Sequence, residues 1–215
     1  MIGIIDYNAG NIESVQHALR SLNLPFIISK NPKDLETADR LLFPGVGNAE
    51  YAMNELKNSG FDKFLQEAHA IDIPILGICL GSQIIFEYSQ EGNVDCLGLL
   101  PGSIKHFSEL LTQENLSSSK IPHMGWNNIT FQNECPLFEG IELNTDFYFV
   151  HSYVIQPKND TLISATCNYG IDFPASVWKD NLFACQFHPE KSGKPGLQIL
   201  KNFANLDANK WSSKC

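Results

Sequence analysis

The alternation of short apolar runs with amphipathic stretches through the first 90 residues restricts the fold more than any other feature of the sequence. The apolar runs of strand length are residues 2–5, 25–28, 41–43 and 74–78. The predicted helices are residues 12–22 and 61–71, the first because its apolar side chains recur on one helical face. Strands that alternate with helices form a parallel sheet with helices on both faces. The first half therefore predicts an α/β fold, in which reactive groups gather at the carboxyl ends of the strands.

The second half of the chain has a different pattern, in which strand-like runs follow one another with few helices. These runs are residues 147–150, 162–166, 175–178 and 182–187. Residues 179–181 have the composition of a hairpin turn between the last two runs, and residues 195–204 are predicted to form a final helix. We therefore expect a mixed, mostly parallel sheet flanked by helices, with an antiparallel β extension in the C-terminal half.

Length and charge limit the classes of function that need to be considered. The chain has 215 residues, which fits one domain, and its 43% hydrophobic and 18% charged residues are typical of a globular protein. A net charge of −9 argues against nucleic acid or an anionic membrane surface as the main partner. No apolar run approaches the roughly 18 residues of a membrane span. We expect residues 1–206 to form the domain and residues 207–215 a flexible tail.

The six cysteines are widely and irregularly spaced, and none forms a Cys-x-x-Cys pair. They are Cys79, Cys96, Cys135, Cys167, Cys185 and Cys215. This pattern argues against a zinc site or a disulfide framework, so we expect no metal. The N-terminus lacks the basic segment of a signal peptide and reaches an acidic residue at position 6. We therefore expect a cytoplasmic protein whose thiols are mostly small buried groups.

Cys79 differs from the other cysteines because residues 77–83 place it in a Gly-x-Cys-x-Gly segment between an apolar run and a predicted helix. This is the nucleophile-elbow pattern with sulfur in place of a hydroxyl. A sharp turn from strand to helix leaves no room for side chains at Gly77 and Gly81. The N-terminus of the helix favours a thiolate, and the Leu80 N–H is expected to face the oxyanion of an attacked carbonyl. The alternative is a cysteine that only packs between two glycines.

A cysteine nucleophile needs a base, and the base needs a group that orients it. His188 is the one histidine with a carboxylate two residues further on, at Glu190. On an extended strand these two side chains share a face, and Pro189 favours an extended backbone. His151 is the rival base, but Ser152 and Tyr153 follow it and no acid does. The alternative for His188 is a histidine at a strand end beside a surface glutamate.

A Pro-Gly-x-Gly loop at residues 44–47 closes the third predicted strand. Loops this rich in glycine let backbone N–H groups converge on an anion. We expect the Val46 N–H to be the second donor to an oxyanion at Cys79. A plain tight turn is the alternative.

The Gly-x-Cys-x-Gly-x-Gln segment around Cys79, the Pro-Gly-x-Gly loop and the His188-Pro-Glu190 segment occur in the chain order of the class I (triad-type) glutamine amidotransferases, which this sequence resembles. Further segments resemble the glutaminase subunits of imidazole glycerol phosphate synthases. They are residues 4–12, 122–127, 149–153 and 186–192. The resemblance implies a flavodoxin-like fold and the hydrolysis of glutamine to glutamate and ammonia without a cofactor.

The resemblance also implies roles for individual residues. Cys79 would attack the side-chain amide of glutamine, His188 would transfer protons, and Glu190 would orient His188. The N–H groups of Val46 and Leu80 would form the oxyanion hole. The residues that would bind glutamine are Gly47, Gln83, Ser152 and Tyr153.

By the same resemblance, the ammonia passes to a (β/α)8-barrel synthase (cyclase) subunit, which forms a heterodimer with the glutaminase and makes imidazole glycerol phosphate in histidine biosynthesis. This chain has no Walker-type phosphate loop and is negatively charged, so a separate chain is better suited to hold a phosphate-bearing acceptor. Asn11, Trp126 and Lys191 would belong to the docking face. The alternative is that Trp126 is a core aromatic and Lys191 a solvated charge.

Three other functions remain open at the level of the sequence. Residues 173–181 are similar to the corresponding segment of relatives that supply ammonia for amidation of a nucleotide sugar. In that case the glutaminase chemistry is the same and the partner is different. A thiol hydrolase of esters or lactones is less consistent with the adjacent His188 and Glu190, since such enzymes usually place the acid far before the histidine. A non-catalytic binding module would require no such triad.

Overall fold

A computed structural model describes residues 1–112, 114–115 and 119–207, and its centre is an eight-stranded mixed sheet. The strand order is β2-β1-β3-β4-β14-β13-β12-β9. Strands β1 to β4 and β14 pair in parallel, and β14, β13, β12 and β9 pair antiparallel. The strands are β1 Ile2–Ile5, β2 Phe26–Ser29, β3 Arg40–Gly45, β4 Ile75–Cys79, β5 Tyr88–Ser89, β6 Val94–Asp95, β7 Gly102–His106, β8 His123–Asn128, β9 Thr130–Phe131, β10 Asp146–His151, β11 Tyr153–Pro157, β12 Ile163–Asn168, β13 Asp172–Lys179 and β14 Leu182–Cys185.

The parallel strands are buried on both faces because helices cover each side of the sheet. On β3, Leu42 packs on one side and Leu41 and Phe43 on the other. Helices α1 and α6 cover the first side, and α2 and α3 cover the second. The helices are α1 Ile12–Ser21, α2 Ala49–Ser59, α3 Phe61–Ala70, α4 Leu80–Ile84, α5 Phe107–Leu110 and α6 Gly193–Ala204. This confirms the predicted α/β arrangement.

The C-terminal half adds the predicted antiparallel extension. Strands β13 and β14 form a hairpin in which Lys179 pairs with Leu182. Asp180 takes a positive φ of 51° in the turn, a conformation that aspartate tolerates better than most residues. Strand β14 then pairs in parallel with β4, with Cys185 opposite Ile78. The hairpin therefore carries the chain from the antiparallel edge to the centre of the sheet, beside the strand that ends at Cys79.

Two smaller sheets lie over the carboxyl ends of the parallel strands. One is the antiparallel pair β8 and β10, and the other has the order β11-β7-β5-β6. Residue 152 separates β10 from β11, so the chain passes directly from one small sheet to the other. The junction lies at the edge of the main sheet where β3 and β4 end, and this is the place where reactive groups were expected.

The described residues include no helix with the length and apolar character needed to cross a membrane. Of the tail predicted over residues 207–215, residues 208–215 lie outside the described part of the chain, as do residue 113 and residues 116–118 of the polar stretch before Pro122.

Candidate active site

Cys79 is the last residue of β4 and the residue that caps α4. Its φ of 53° and ψ of −111° are rare for a residue with a side chain, and such backbone strain persists only where the surrounding structure enforces it. The strained turn projects the thiol away from the sheet. Its Sγ lies 3.8 Å from the Val150 carbonyl oxygen.

The two glycines beside Cys79 allow α4 to pack tightly against the sheet. A Cβ at Gly81 would lie 1.9 Å from the Phe43 carbonyl oxygen, and a Cβ at Gly77 would lie 2.8 Å from the Gly81 carbonyl oxygen. Either contact is impossible without a shift of the backbone. The glycines are therefore required by the close approach of α4 to β3 and β4, as the elbow interpretation predicted.

His188 and Glu190 form a buried hydrogen-bonded pair in the same site. The distance from His188 Nδ1 to Glu190 Oε1 is 2.7 Å, and each side chain is 1% exposed. A carboxylate accepts hydrogen bonds, so Nδ1 carries the proton and Nε2 faces the site. Burial of His188 opposes its charge, but the neighbouring Cys79 and Glu190 outweigh this effect and raise the pKa of His188. Nε2 makes no hydrogen bond with any described residue, so it is available to exchange a proton.

The two side chains meet as predicted, but the prediction that they share a face of an extended strand is wrong. Pro189–Lys191 is a turn of 3-10 helix, and β14 has already ended at Cys185. Glu190 reaches Nδ1 because the tight turn folds its side chain back toward the ring. Ser192 fixes this turn, since its Oγ donates to the His188 carbonyl and accepts from the Tyr148 N–H.

One cavity of about 310 Å³ brings the predicted residues together. Its lining contains the predicted Cys79, His188, Val46, Leu80, Gly47, Gln83, Ser152, Tyr153 and Lys191, and in addition Glu91, Pro122, Val150 and His151. Glu190 lies behind His188 and does not line the cavity. The volume suits a small metabolite.

The Val46 N–H does not point into the cavity. It donates to the Ala9 carbonyl oxygen at 2.6 Å, because the loop after β3 continues alongside the chain that follows β1. In this conformation it cannot bind an oxyanion at Cys79. The predicted donor role of Val46 therefore requires a second conformation of the Gly45–Val46 peptide.

The amide of Gln83 is held in a fixed orientation. Its Nε2 donates to the Tyr153 carbonyl oxygen at 3.2 Å and to Gln186 Oε1 at 2.8 Å. Both N–H bonds of the amide are used in this way, so only the carbonyl oxygen of Gln83 remains for a ligand. The predicted contact of Gln83 with a substrate is thus limited to accepting a hydrogen bond.

Glu91 is a site residue that the sequence did not reveal. It lies between β5 and β6 in a segment without a motif, and the N-terminus of α2 holds it through a hydrogen bond from the Ala49 N–H to Glu91 Oε2, at 2.9 Å. Partial burial raises the pKa of Glu91, although the Ala49 N–H acts in the opposite direction. The cavity therefore has an acceptor carboxylate in addition to the His188–Glu190 pair.

His151 lines the cavity but is not equipped to act as the base. Its Nδ1 lies 2.8 Å from the Tyr153 carbonyl oxygen and must donate to it. Its Nε2 then accepts from His123 Nδ1 at 3.1 Å. Both ring nitrogens are occupied, and burial lowers the pKa of His151 to about 3. Together with Gln83, this chain of hydrogen bonds holds the Tyr153 carbonyl in place.

Of the three residues predicted at a docking face, one lines the cavity and two lie close to elements beside it. Lys191 is exposed and lines the cavity. Trp126 is 57% exposed and contacts Tyr148, whose ring centroid is 6.4 Å from that of His188. Asn11 precedes α1, which packs against the Pro189–Lys191 turn. Trp126 is therefore not the core aromatic of the alternative interpretation.

The site thus combines an elbow cysteine with a buried histidine–carboxylate pair, on a mostly parallel sheet with an antiparallel extension, which is an arrangement suited to acyl transfer through a thiol. The sequence matches the family described as "Glutamine amidotransferase class-I" over residues 3–206. The chain belongs to this family.

Relatives with curated descriptions are similar over almost the whole chain. The "Imidazole glycerol phosphate synthase subunit HisH" of Nitratidesulfovibrio vulgaris (strain Miyazaki F) is 46% identical over 203 residues, which are 94% of this chain and 95% of the relative. The "Imidazole glycerol phosphate synthase subunit HisH 1" of Campylobacter jejuni (strain 81-176) is 49% identical over 208 residues, 96% of this chain and 100% of the relative. The solved structure of PurLQS from Thermotoga maritima has the same fold, with a TM-score of 0.71 at 18% identity over 95% of this chain and 97% of that one.

The buried histidine pair predicts how stability depends on pH. Burial lowers the pKa of His123 to about 4 and that of His151 to about 3, both from an ordinary value of 6.5. The unfolded chain therefore takes up protons first as the pH falls below 6.5, and stability must decline from there toward pH 4. For His151 the loss between pH 6.5 and 5 amounts to about 2 kcal/mol. The pKa of His188 is raised in the folded state, so its contribution to stability is lost only as the pH rises above 6.5. It therefore does not affect the loss of stability below pH 6.5.

Chemical denaturation between pH 7 and 5 measures this loss. His123→Phe is expected to reduce the slope of stability against pH, whereas the control His17→Ala, at an exposed position of α1, leaves it unchanged. Equal slopes in the wild type and His123→Phe would contradict a buried neutral pair.

Proposed function

We propose that this protein is the glutaminase subunit of an imidazole glycerol phosphate synthase, acting in histidine biosynthesis. The observation that carries the proposal is the hydrogen bond between His188 Nδ1 and Glu190, which leaves Nε2 free in the cavity that also holds the thiol of Cys79. This arrangement matches the requirements of acyl transfer through a cysteine nucleophile. The relatives named above support the choice of the synthase.

The first half of the reaction forms a thioester. The Cys79 thiolate attacks the side-chain amide carbon of glutamine, and the amide oxygen becomes an oxyanion. His188 then gives its Nε2 proton to the amide nitrogen, the C–N bond breaks, and ammonia leaves. Glu190 holds the imidazole in the tautomer and orientation that this transfer needs. In the second half, His188 takes a proton from water, and the resulting hydroxide attacks the thioester carbon. The C–S bond then breaks, glutamate is released, and Cys79 leaves as the thiolate with His188 protonated again.

The oxyanion needs donors that are oriented before it forms. The Leu80 N–H stands at the start of α4, immediately after Cys79. The second proposed donor, the Val46 N–H, becomes available only when the Gly45–Val46 peptide reverses and releases the Ala9 carbonyl. We therefore infer that the resting chain is a poor glutaminase and that docking of a partner over the cavity favours the reversed peptide.

Glu91 and Gln83 are suited to hold the amino-acid head group of glutamine. The Glu91 carboxylate and the remaining lone pairs of the Gln83 carbonyl can both accept from an α-ammonium group, and Glu91 also balances its charge. Ser152 and Tyr153 lie at the junction of β10 and β11, where backbone groups can bind the α-carboxylate. The head group then lies away from His188, and the amide end of glutamine points toward Cys79.

The partner in this proposal is a (β/α)8-barrel synthase subunit that docks over the cavity mouth and forms a heterodimer. Met124 and Trp126 on β8 are 62% and 57% exposed, so they offer apolar surface to a partner. Asn11 precedes α1, which packs against the turn that carries Lys191, and the proposal places both residues in the same docking face. A docked partner would also receive ammonia before water protonates it and removes its nucleophilicity. A cytoplasmic location belongs to the proposal, since the described cysteines are all free and a reducing compartment keeps them so.

The nucleotide-sugar alternative depended on residues 173–181, of which Phe173 packs on the cavity residue His151 at a ring-centroid distance of 5.2 Å. They form β13 and the hairpin turn, where Trp178 stacks on Phe183 at a ring-centroid distance of 6.0 Å. None of them lines the cavity. The lining of the cavity therefore does not distinguish the two acceptors.

Replacement of the nucleophile separates the two reactions of the complex. With the barrel synthase bound, Cys79→Ala is expected to lower glutamine hydrolysis at least about 1,000-fold, because no thioester can form. Synthesis from added ammonium salt should persist, since that chemistry takes place on the partner. Glutamate release and product formation with each nitrogen source measure the two activities.

The matched control for this variant is Cys96→Ala, which removes a thiol that does not line the cavity. It should retain both activities. Loss of the ammonium-dependent synthesis in Cys79→Ala, or normal glutamine hydrolysis, would contradict the proposal.

A second variant tests the proposed head-group contact. Glu91→Gln keeps an acceptor for the Ala49 N–H but removes the charge, so the KM for glutamine is expected to rise about 10- to 100-fold with little change in kcat. Glu109→Gln, at an exposed position outside the cavity, is the control. Steady-state kinetics of the complex gives both constants, and an unchanged KM would place the α-ammonium group elsewhere.

A further inference from the structure

The hydroxyl of Tyr7 is a buried donor without a partner. The side chain is 1% exposed, and its Oη makes no hydrogen bond with any described residue. Burial and the proximity of Cys79 raise the pKa of Tyr7, so the hydroxyl keeps its proton. Buried polar groups are nearly always paired, and an exception in a folded protein calls for an explanation.

Tyr7 lies directly beneath the loop that should supply the second oxyanion donor. It follows β1, and its ring packs on Phe43 with a centroid distance of 5.3 Å. A Cβ added at Gly45 would lie 2.5 Å from Tyr7 Oη and 2.7 Å from the Gly81 nitrogen. Because a Cα–Cβ bond has the length of an ordinary C–C bond, Oη lies within about 4 Å of the Gly45 Cα. The hydroxyl therefore sits between the loop and the elbow.

The Gly45–Val46 peptide is oriented against catalysis in this structure. Its N–H donates to the Ala9 carbonyl, on the side of β1. The N–H and C=O of a trans peptide point in opposite directions, and β3 lies between β1 and β4. The Gly45 carbonyl is therefore directed toward the β4 side, where Cys79 lies, and its negative end would repel an oxyanion there.

Reversal of the Gly45–Val46 peptide supplies an oxyanion donor but leaves the Gly45 carbonyl without a hydrogen-bond donor. It brings the Val46 N–H to the β4 side, but it turns the Gly45 carbonyl toward the Ala9 carbonyl, so two acceptors face each other. A buried carbonyl without a donor is costly. The reversed state needs a donor close to Gly45, and Tyr7 Oη is unused and within reach.

We propose that the Tyr7 hydroxyl donates to the Gly45 carbonyl in the reversed peptide and so stabilises the conformation in which Val46 binds the oxyanion. The inference rests on the proposed glutaminase function. Tyr7 is a positioning residue, because it acts through the Gly45–Val46 peptide and does not touch the substrate.

The two glycines of the loop fit this role. Any side chain at Gly45 would occupy the space between Tyr7 and the peptide. Gly47 has a φ of +94°, and a Cβ placed there would meet nothing within 4 Å, so the loop has open space on its cavity side. The loop can therefore turn without a clash, and the hydroxyl lowers the free-energy cost of the reversed orientation.

Tyr7→Phe tests the proposal in the complex with the barrel synthase. The kcat for glutamine hydrolysis is expected to fall about 3- to 10-fold, the effect of one lost neutral hydrogen bond, while the KM for glutamine stays the same. The melting temperature of the chain should stay the same or rise, because the resting state loses an unpaired polar group. Tyr51→Phe, on the exposed face of α2, is the matched control and should match the wild type.

Alkylation of Cys79 by iodoacetamide, followed across pH by peptide mass spectrometry, shows whether the hydroxyl acts on the sulfur instead. The proposal expects the same pH profile in Tyr7→Phe and in the wild type. It is overturned by an unchanged kcat, by a lowered melting temperature that accounts for the loss of activity, or by a shifted alkylation profile. If the wild-type complex hydrolyses no glutamine, the proposed function itself is wrong. If the wild type hydrolyses glutamine and Tyr7→Phe does so equally well, only the role of Tyr7 is wrong.

Discussion

The close approach of α4 to β3 at Gly81 is the contact on which the rest of the site depends. Because the Gly81 Cα faces the Phe43 carbonyl with no room for a methyl group, the elbow is held against β3, which ends at Gly45 just before Val46. The register of the sheet then sets Gly45 opposite Cys79. Cys79, the proposed nucleophile, and the strand end that carries the proposed oxyanion donor are thereby placed side by side by backbone packing.

The polar groups around this contact fall into two sets. The Tyr153 carbonyl accepts hydrogen bonds from Gln83 and from His151, and His151 is in turn hydrogen-bonded to His123. In contrast, Tyr7 Oη and His188 Nε2 are buried and lack partners among the described residues. The paired groups keep the shape of the cavity, and the proposed reaction gives partners to Tyr7 Oη and His188 Nε2.

Local sequence patterns predicted the parts of the site that depend on neighbouring residues. The two glycines around Cys79 revealed the elbow, because steric exclusion at a sharp turn is a local effect. The spacing of His188 and Glu190 revealed their contact, although the turn that produces it is a 3-10 helix and not a strand. The position of Glu91 in the cavity could not be predicted from the sequence, because the N-terminus of α2, which is distant in the chain, holds it there. The orientation of the Val46 N–H depends on a tertiary contact with Ala9, and no sequence pattern reports the direction of a single peptide.

The central claim is that Cys79 is the nucleophile in the glutamine pocket, and affinity labelling tests it most directly because the chain has six cysteines to choose from. A chloromethyl-ketone analogue of glutamine alkylates a thiolate that it meets in that pocket, with loss of chloride. The account predicts one label per chain, on Cys79, formed in step with the loss of glutaminase activity and slowed by glutamine. Inactivation with the label on another cysteine, or with Cys79 unmodified, would contradict it.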